Sequence, residues 1–175
     1  MTFARVRALA LVGLLLVAAA VVAVVVMVRD SQRGDAGPAA CPEGAVVVDL
    51  ALRHQREITV AVLGGTGAER VAASVAADFR NCGFQVDEPR DEPRPERVEG
   101  IAVLRYGPDG VGAAHVVRAY FLGKATLDFD AGRTGAQVDV LVGERFRALA
   151  QPTDVNIALA DLGRPALPPG TCRRA

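Results

Sequence analysis

The sequence contains no tryptophan, two tyrosines, two histidines, two serines and a single lysine in 175 residues. Each scarcity removes a class of function. With Ser31 and Ser74 as the only serines, Lys124 as the only lysine and His54 and His115 as the only imidazoles, Ser-His-Asp and Ser-Lys nucleophilic catalysis is nearly excluded by inventory. Neither histidine has a cysteine or an acid at metal-ligand spacing, so no metal site is expected. An excess of one charge is also missing. Twenty Lys+Arg balance twenty Asp+Glu, which leaves no whole-protein field to attract polyphosphate and argues against a nucleic-acid partner. What remains is 51% hydrophobic and 23% charged residues, the composition of a chain that folds.

Part of that apolar content is one block. Residues 8–28 are 21 consecutive uncharged residues, nearly all Ala, Val and Leu. As a helix they reach about 31 Å, enough for a hydrocarbon core of ~30 Å and longer than the ~7 to 15 apolar residues of a secretory signal. A retained single-pass transmembrane helix is expected, with a cleaved signal as the alternative. Lipid attachment at Cys41 fits poorly, because Pro38 stands where a Leu is wanted. The flanking arginines, Arg5 and Arg7 against Arg29 and Arg33, tie under the positive-inside rule. All three cysteines lie after the span, so residues 1–7 are expected in the cytoplasm and the bulk of the chain outside the cell membrane, where disulfides persist.

Residues 29–57 read as a tether and lead-in, polar and rich in Gly and Pro over 30–40. Residues 58–63 (ITVAVL) form a β-branched strand ending at Gly64-Gly65. Thr66 with Glu69 makes a capping box, Val71, Val75, Phe79 and Cys82 share a helical stripe, and Gly83 stops the helix. A second strand at 84–86 leads to the proline- and charge-rich loop 87–97. A strand at 101–105, a helix at 111–122, strands at 126–129 and 137–142, and a short helix after Thr153 with Val155, Leu159 and Leu162 on one face complete the domain. Pro165, Pro168 and Pro169 then stop regular structure, leaving 164–175 as a tail that carries Cys172. The order β-α-β-β-α-β-β-α over 58–163 implies an α/β (α+β) domain with a small mixed β-sheet and helices packed mainly on one face.

The segment Val60-Ala61-Val62-Leu63-Gly64-Gly65-Thr66-Gly67 invites a dinucleotide-binding reading, with Asp87 twenty residues after Gly67. Arg70 occupies the place of the third glycine, and the folded stretch is short for two mononucleotide halves. A tight strand-to-helix turn accounts for the same residues, and no cofactor is expected. His115 lies about 200° around its helix from Val117 and is expected at the surface. Asp128, Asp130 and Asp139 read as strand-face carboxylates, with nothing to pin two of them across a cleft. Thr66, Arg105 and Tyr106 stand where strands give way to turns and are the candidate ligand-binding residues, although cap and turn roles alone explain them better. No catalytic residue is assigned.

Cys41 opens the folded unit and Cys172 lies three residues before the chain end, so bonding them would tie its termini together. Cys82 on the helix stripe is expected to be a buried free thiol, with pairing to Cys41 or Cys172 as the alternative.

Residues 58–86 (ITVAVLGGTGAERVAASVAADFRNCGFQV) resemble the opening of the LytR C-terminal domain family: a strand, a turn ending in Gly-Thr, an Ala/Val-rich helix and G-F-x-V. Residues 101–107 (IAVLRYG) and 138–146 (VDVLVGERF) are similar to its later strands, and about 105 of the 175 residues are covered. Gly64 stands where the family usually has Asn. The catalytic domain of LytR-type proteins, which transfers wall glycopolymers to peptidoglycan, has no counterpart in this sequence. The resemblance implies a non-catalytic module that supports the cell envelope by binding a wall glycan, a lipid or an envelope protein. A scaffold or regulatory subunit of an envelope-assembly enzyme is the alternative.

Overall fold

The computed structural model describes residues 41–64, 69–87 and 97–174. The expected span at 8–28, the tether, Thr66 with its neighbouring glycines, and most of the charged loop lie outside the described residues. No described helix is long and apolar enough to cross a membrane.

Strands β1 (Val46–Val48), β2 (Thr59–Gly64), β3 (Gln85–Asp87), β4 (Ala102–Tyr106), β5 (Thr126–Phe129), β6 (Val138–Val142) and β7 (Thr171–Arg173) alternate with helices α1 (Glu69–Asn81), α2 (Val111–Ala119) and α3 (Pro152–Leu162). Five strands form a mixed sheet in the order β3-β2-β6-β4-β5. β2 runs parallel to β3 and β6, β4 runs parallel to β5, and the antiparallel β4–β6 pair joins the two halves. The expected order of elements from β2 to α3 is the observed one.

β6 lies at the centre of the sheet, and all five of its residues are buried. The pleat sends Val138, Val140 and Val142 to one face and Asp139 and Leu141 to the other. The valines share the main core with Val60, Leu104, Val75 and Phe79 of α1, and Val117 of α2. Aromatic rings close this core. Phe79 meets Phe84 edge-on at 5.1 Å, Phe84 meets Tyr120 at 5.0 Å, and Phe79 lies 6.2 Å from Phe121, so the end of α1 is packed against the end of α2.

α1 stops where its sequence says it should. Gly83 has φ 90°, the Phe84 amide donates to the Phe79 carbonyl, and the Gly83 amide donates to that of Arg80. The buried stripe is Ala72, Val75 and Phe79, and Val71 is 40% exposed. Two successive steps of four residues rotate Val71 about 80° away from Phe79, which carries it off the packed face. Cys82, the only described cysteine outside a disulfide, is half-buried rather than fully enclosed.

Three further expectations are corrected. The tail is not devoid of regular structure: β7 pairs in parallel with β1, Val47 opposite Cys172. Three residues after a run of prolines carry no local strand signal, and β7 exists because its partner lies 125 positions earlier in the chain, 172 minus 47. The last helix begins with Pro152 after Gln151, so Thr153 lies inside it rather than at its cap. His115 is 7% exposed and is not a surface residue. Seven neighbours on its own helix are buried with it, because α2 is enclosed by the sheet on one side and by chain segments on others. One of those segments comes close enough that the Gly112 amide donates to the Asp49 carbonyl at 3.0 Å.

Cys41 and Cys172 form a disulfide with Cα atoms 5.8 Å apart. The expected pairing is the one present. The bond sits beside the β1–β7 pair, and the Arg174 amide extends that ladder by donating to the Val48 carbonyl at 3.0 Å.

Candidate functional site

Strand geometry separates two of the residues expected to share a ligand site. Arg105 and Tyr106 are consecutive on β4 and so point to opposite faces of the sheet. Thr66 lies outside the described residues. Arg105 belongs to the face away from the helices, where its Nε donates to Asp128 Oδ2 at 2.8 Å and Asp139 is its cross-strand neighbour. Arg133, from the turn between β5 and β6, is ion-paired with Asp139, and Gln137 Nε2 donates to Asp139 Oδ1 at 3.1 Å. This row of charges satisfies itself and acts as structure.

Tyr106 lies on the helix face. Its ring packs 5.8 Å from that of Phe129, and burial raises the phenol pKa; the Arg118 charge opposes that shift and Asp128 adds to it. Beside it is a cavity of about 110 Å³ between the end of β4, α2 and the chain that leaves α3. Tyr106, His115, Arg118, Leu162, Arg164 and Pro165 are among the residues that line it. His115 Nε2 is 2.9 Å from the Gly163 carbonyl oxygen. A carbonyl only accepts, so Nε2 carries the proton of the neutral ring. Burial pushes the imidazole pKa down, the bond to Gly163 opposes this, and Arg118 pushes it further down. Arg118 itself is anchored by Nε, which donates to the Ala125 carbonyl at 3.2 Å.

A second concavity, wider and more open, runs along the outside of α3. Leu122, Ile157, Ala158 and Leu162 line it, with Asp154 and Asp161 at its edge, and it encloses about 480 Å³. Leu122 is 47% and Ile157 57% exposed. Leu122 has φ 52°, a left-handed conformation that a branched aliphatic residue rarely adopts, followed by Gly123 at φ 73°. The turn that ends α2 thus displays an apolar side chain to solvent beside the groove. Leu162 lines both cavities.

The sequence offered one usable sign of the first cavity. Residues 111–119 (VGAAHVVRA) are apolar or small around the whole helix except for His115 and Arg118. A helix apolar on all sides is an enclosed one, so its two polar residues are those with a task inside. Arg164 gave no such sign. Among the described residues no three His, Cys, Asp or Glu side chains are placed to hold a metal ion.

An α/β sheet domain with a polar cavity at a strand end, closed by a disulfide, is the class that the geometry defines. Residues 57–146 match the family described as LytR cell envelope-related transcriptional attenuator, and the chain belongs to that family. Among solved structures, the soluble domain of a conserved hypothetical secreted protein from Mycobacterium marinum is similar, at 24% sequence identity and a TM-score of 0.48, over 70% of this chain and 83% of that one. Comparison with curated proteins finds no match.

Proposed function

We propose that the protein is a membrane-anchored, extracytoplasmic module that supports cell-envelope integrity by binding a wall glycan, lipid or envelope protein, without catalysing a reaction. The observation that carries this reading is the cavity at Tyr106, His115, Arg118 and Arg164, where polar groups from three separate parts of the chain converge. The Cys41–Cys172 bond supports an oxidising location. The layout of short N-terminus, apolar run, Cys41-Pro42 before the domain and Cys172 near the end also resembles that of the single-pass actinobacterial envelope integrity protein Cei, and nineteen arginines against one lysine fit a GC-rich genome.

The test is genetic. Removal of the gene is expected to sensitise the host to detergent and lysozyme, and the intact chain to restore resistance while Arg164→Gln does not. Equal rescue by Arg164→Gln overturns the role of the cavity. A reporter active only outside the cytoplasm, fused at Ala175, is expected to be active; activity of a cytoplasm-only reporter there overturns the topology.

The groove along α3 favours the second reading, a scaffold or regulatory subunit of an envelope-assembly enzyme. Exposed Leu122 and Ile157 beside Asp154 and Asp161 suit an apolar, basic segment of a partner protein. Ile157→Glu that abolishes host rescue while Arg164→Gln preserves it would select this alternative.

A further inference from the structure

The chemistry of the small cavity narrows what it can hold. Among the described residues its lining includes no carboxylate, although Asp128 acts on Tyr106 from nearby, and it includes two arginines from different elements. Arg118 projects from α2 and is fixed through Nε to the Ala125 carbonyl. Arg164 follows Gly163, where φ 64° turns the chain after α3, and precedes Pro165. A residue before proline is confined to extended backbone, so Arg164 springs from a stiff segment. The Arg118 charge acts on both Tyr106 and His115, favouring the phenolate of one and the neutral imidazole of the other. Arginines from two separate elements therefore border the cavity, and the Arg118 charge is felt by the groups inside it.

From this convergence we propose that the cavity is a binding site for a phosphoryl oxyanion, held between Arg118 and Arg164 with the Tyr106 hydroxyl as a further donor. Two unit positive charges match a doubly charged tetrahedral group better than a single carboxylate, and the planar fork of each guanidinium donates in pairs to such oxygens. A cavity of about 110 Å³ has room for a phosphoryl group. This inference rests on the binding role proposed for the cavity and assigns its ligand chemistry.

His115 reports occupancy. Its Nε2–H is committed to Gly163, so Nδ1 is the site that gains a proton. The charged and titratable groups around it are Arg118 on its own helix, Tyr106 from β4 and Arg164 from the segment after α3. A dianion beside these groups offsets the guanidinium charges and favours the imidazolium.

The experiment uses the full chain in a neutral detergent, with the ring protons of His115 followed by NMR across pH as inorganic phosphate is added. The expected result is a saturable rise in the His115 pKa that chloride at matched ionic strength does not produce and that exposed His54 does not share. Arg164→Gln, at an exposed position, is expected to weaken phosphate binding about tenfold to a hundredfold, the loss of one charge-assisted contact. Arg118→Lys, which keeps the charge and loses the fork, is expected to weaken it as well. A parallel arm uses nanodiscs of phosphatidylcholine with or without phosphatidic acid. A response to inorganic phosphate assigns free phosphate as sufficient; a response to phosphatidic acid alone assigns a lipid-borne phosphate.

Silence of His115 in both arms overturns the proposal, as does unchanged affinity in both variants. If phosphate fails to bind while Arg164→Gln still fails to rescue the host, the ligand class falls and the role of the cavity stands. Full rescue by Arg164→Gln removes the role itself.

Discussion

Arg133 and Asp139 form an ion pair with only 7% and 5% of their side chains exposed, on the sheet face that the helices do not cover. Asp139 sits in the central strand and Arg133 in the turn just before it, so the pair pins that turn across β6. Asp139→Asn removes the carboxylate charge that faces this enclosed guanidinium and is expected to cost about 3–5 kcal/mol of stability. Replacing both, Arg133→Met with Asp139→Leu, is expected to recover most of that. Urea unfolding of the single and double variants decides it, and a double variant no more stable than Asp139→Asn would refute the account.

The disulfide closes a sequence separation of 131 residues. In the chain-entropy model a loop of that size contributes ~4 to 5 kcal/mol, an upper bound because real crosslinks often give less. Cys172→Ser is expected to lower the unfolding free energy toward that extent and to expose the amides of β1 and β7 first. Hydrogen exchange measured with and without reductant checks both points. Undiminished protection at Val48 after reduction would show that the parallel pair stands without its staple.

Gly112 is held against chain rather than side chain. A Cβ at this position would meet the backbone of Leu50 and Ala51, which the Asp49 carbonyl bond draws onto α2. Backbone held at both ends has no rotamer by which to give way, so Gly112→Ala is expected to destabilise by about 1–3 kcal/mol or more. Thermal unfolding compared with Gly100→Ala, where a Cβ meets nothing within 4 Å, isolates the steric effect.

His115 makes stability depend on pH with a definite sign. Burial, more than the opposing bond to Gly163, holds its folded-state pKa below the ordinary 6.5. The unfolded chain therefore takes up this proton first as pH falls. Its contribution is complete above about pH 6.5 and is lost progressively below it, until the folded form is protonated too. Chemical denaturation at pH 7.5 and pH 5 is expected to show a smaller pH penalty in His115→Gln than in the parent chain. Equal penalties would place the acid sensitivity elsewhere.

Most of the scaffold was open to a reading of the sequence. The alternation of β-branched strands with capped or glycine-stopped helices gave the order of elements from β2 to α3, because periodicity and turn chemistry are properties of neighbouring residues. Gly83 stopping α1 and the valines of β6 facing one way are of this kind. The cysteine pair was legible for a different reason: one lies at each end of the folded stretch, where a crosslink constrains the most chain.

The remainder depended on partners far away in the chain. No local signal marks Thr171–Arg173 as a strand, since only Val46–Val48 and the disulfide make it one. His115 looked exposed because it lies about 200° around its helix from Val117, but Gly163 and the segment after α3 come to meet it there. The candidate site moved accordingly. Arg105 and Tyr106 are adjacent in sequence, and the pleat places one among charges and the other beside a cavity that Arg118 and Arg164 complete from distant positions. Sequence alone determined which segments from β2 to α3 become strands and helices, through interactions a few residues long. Only the tertiary structure decided which polar groups share a space, because that depends on contacts whose closing loops leave no local trace.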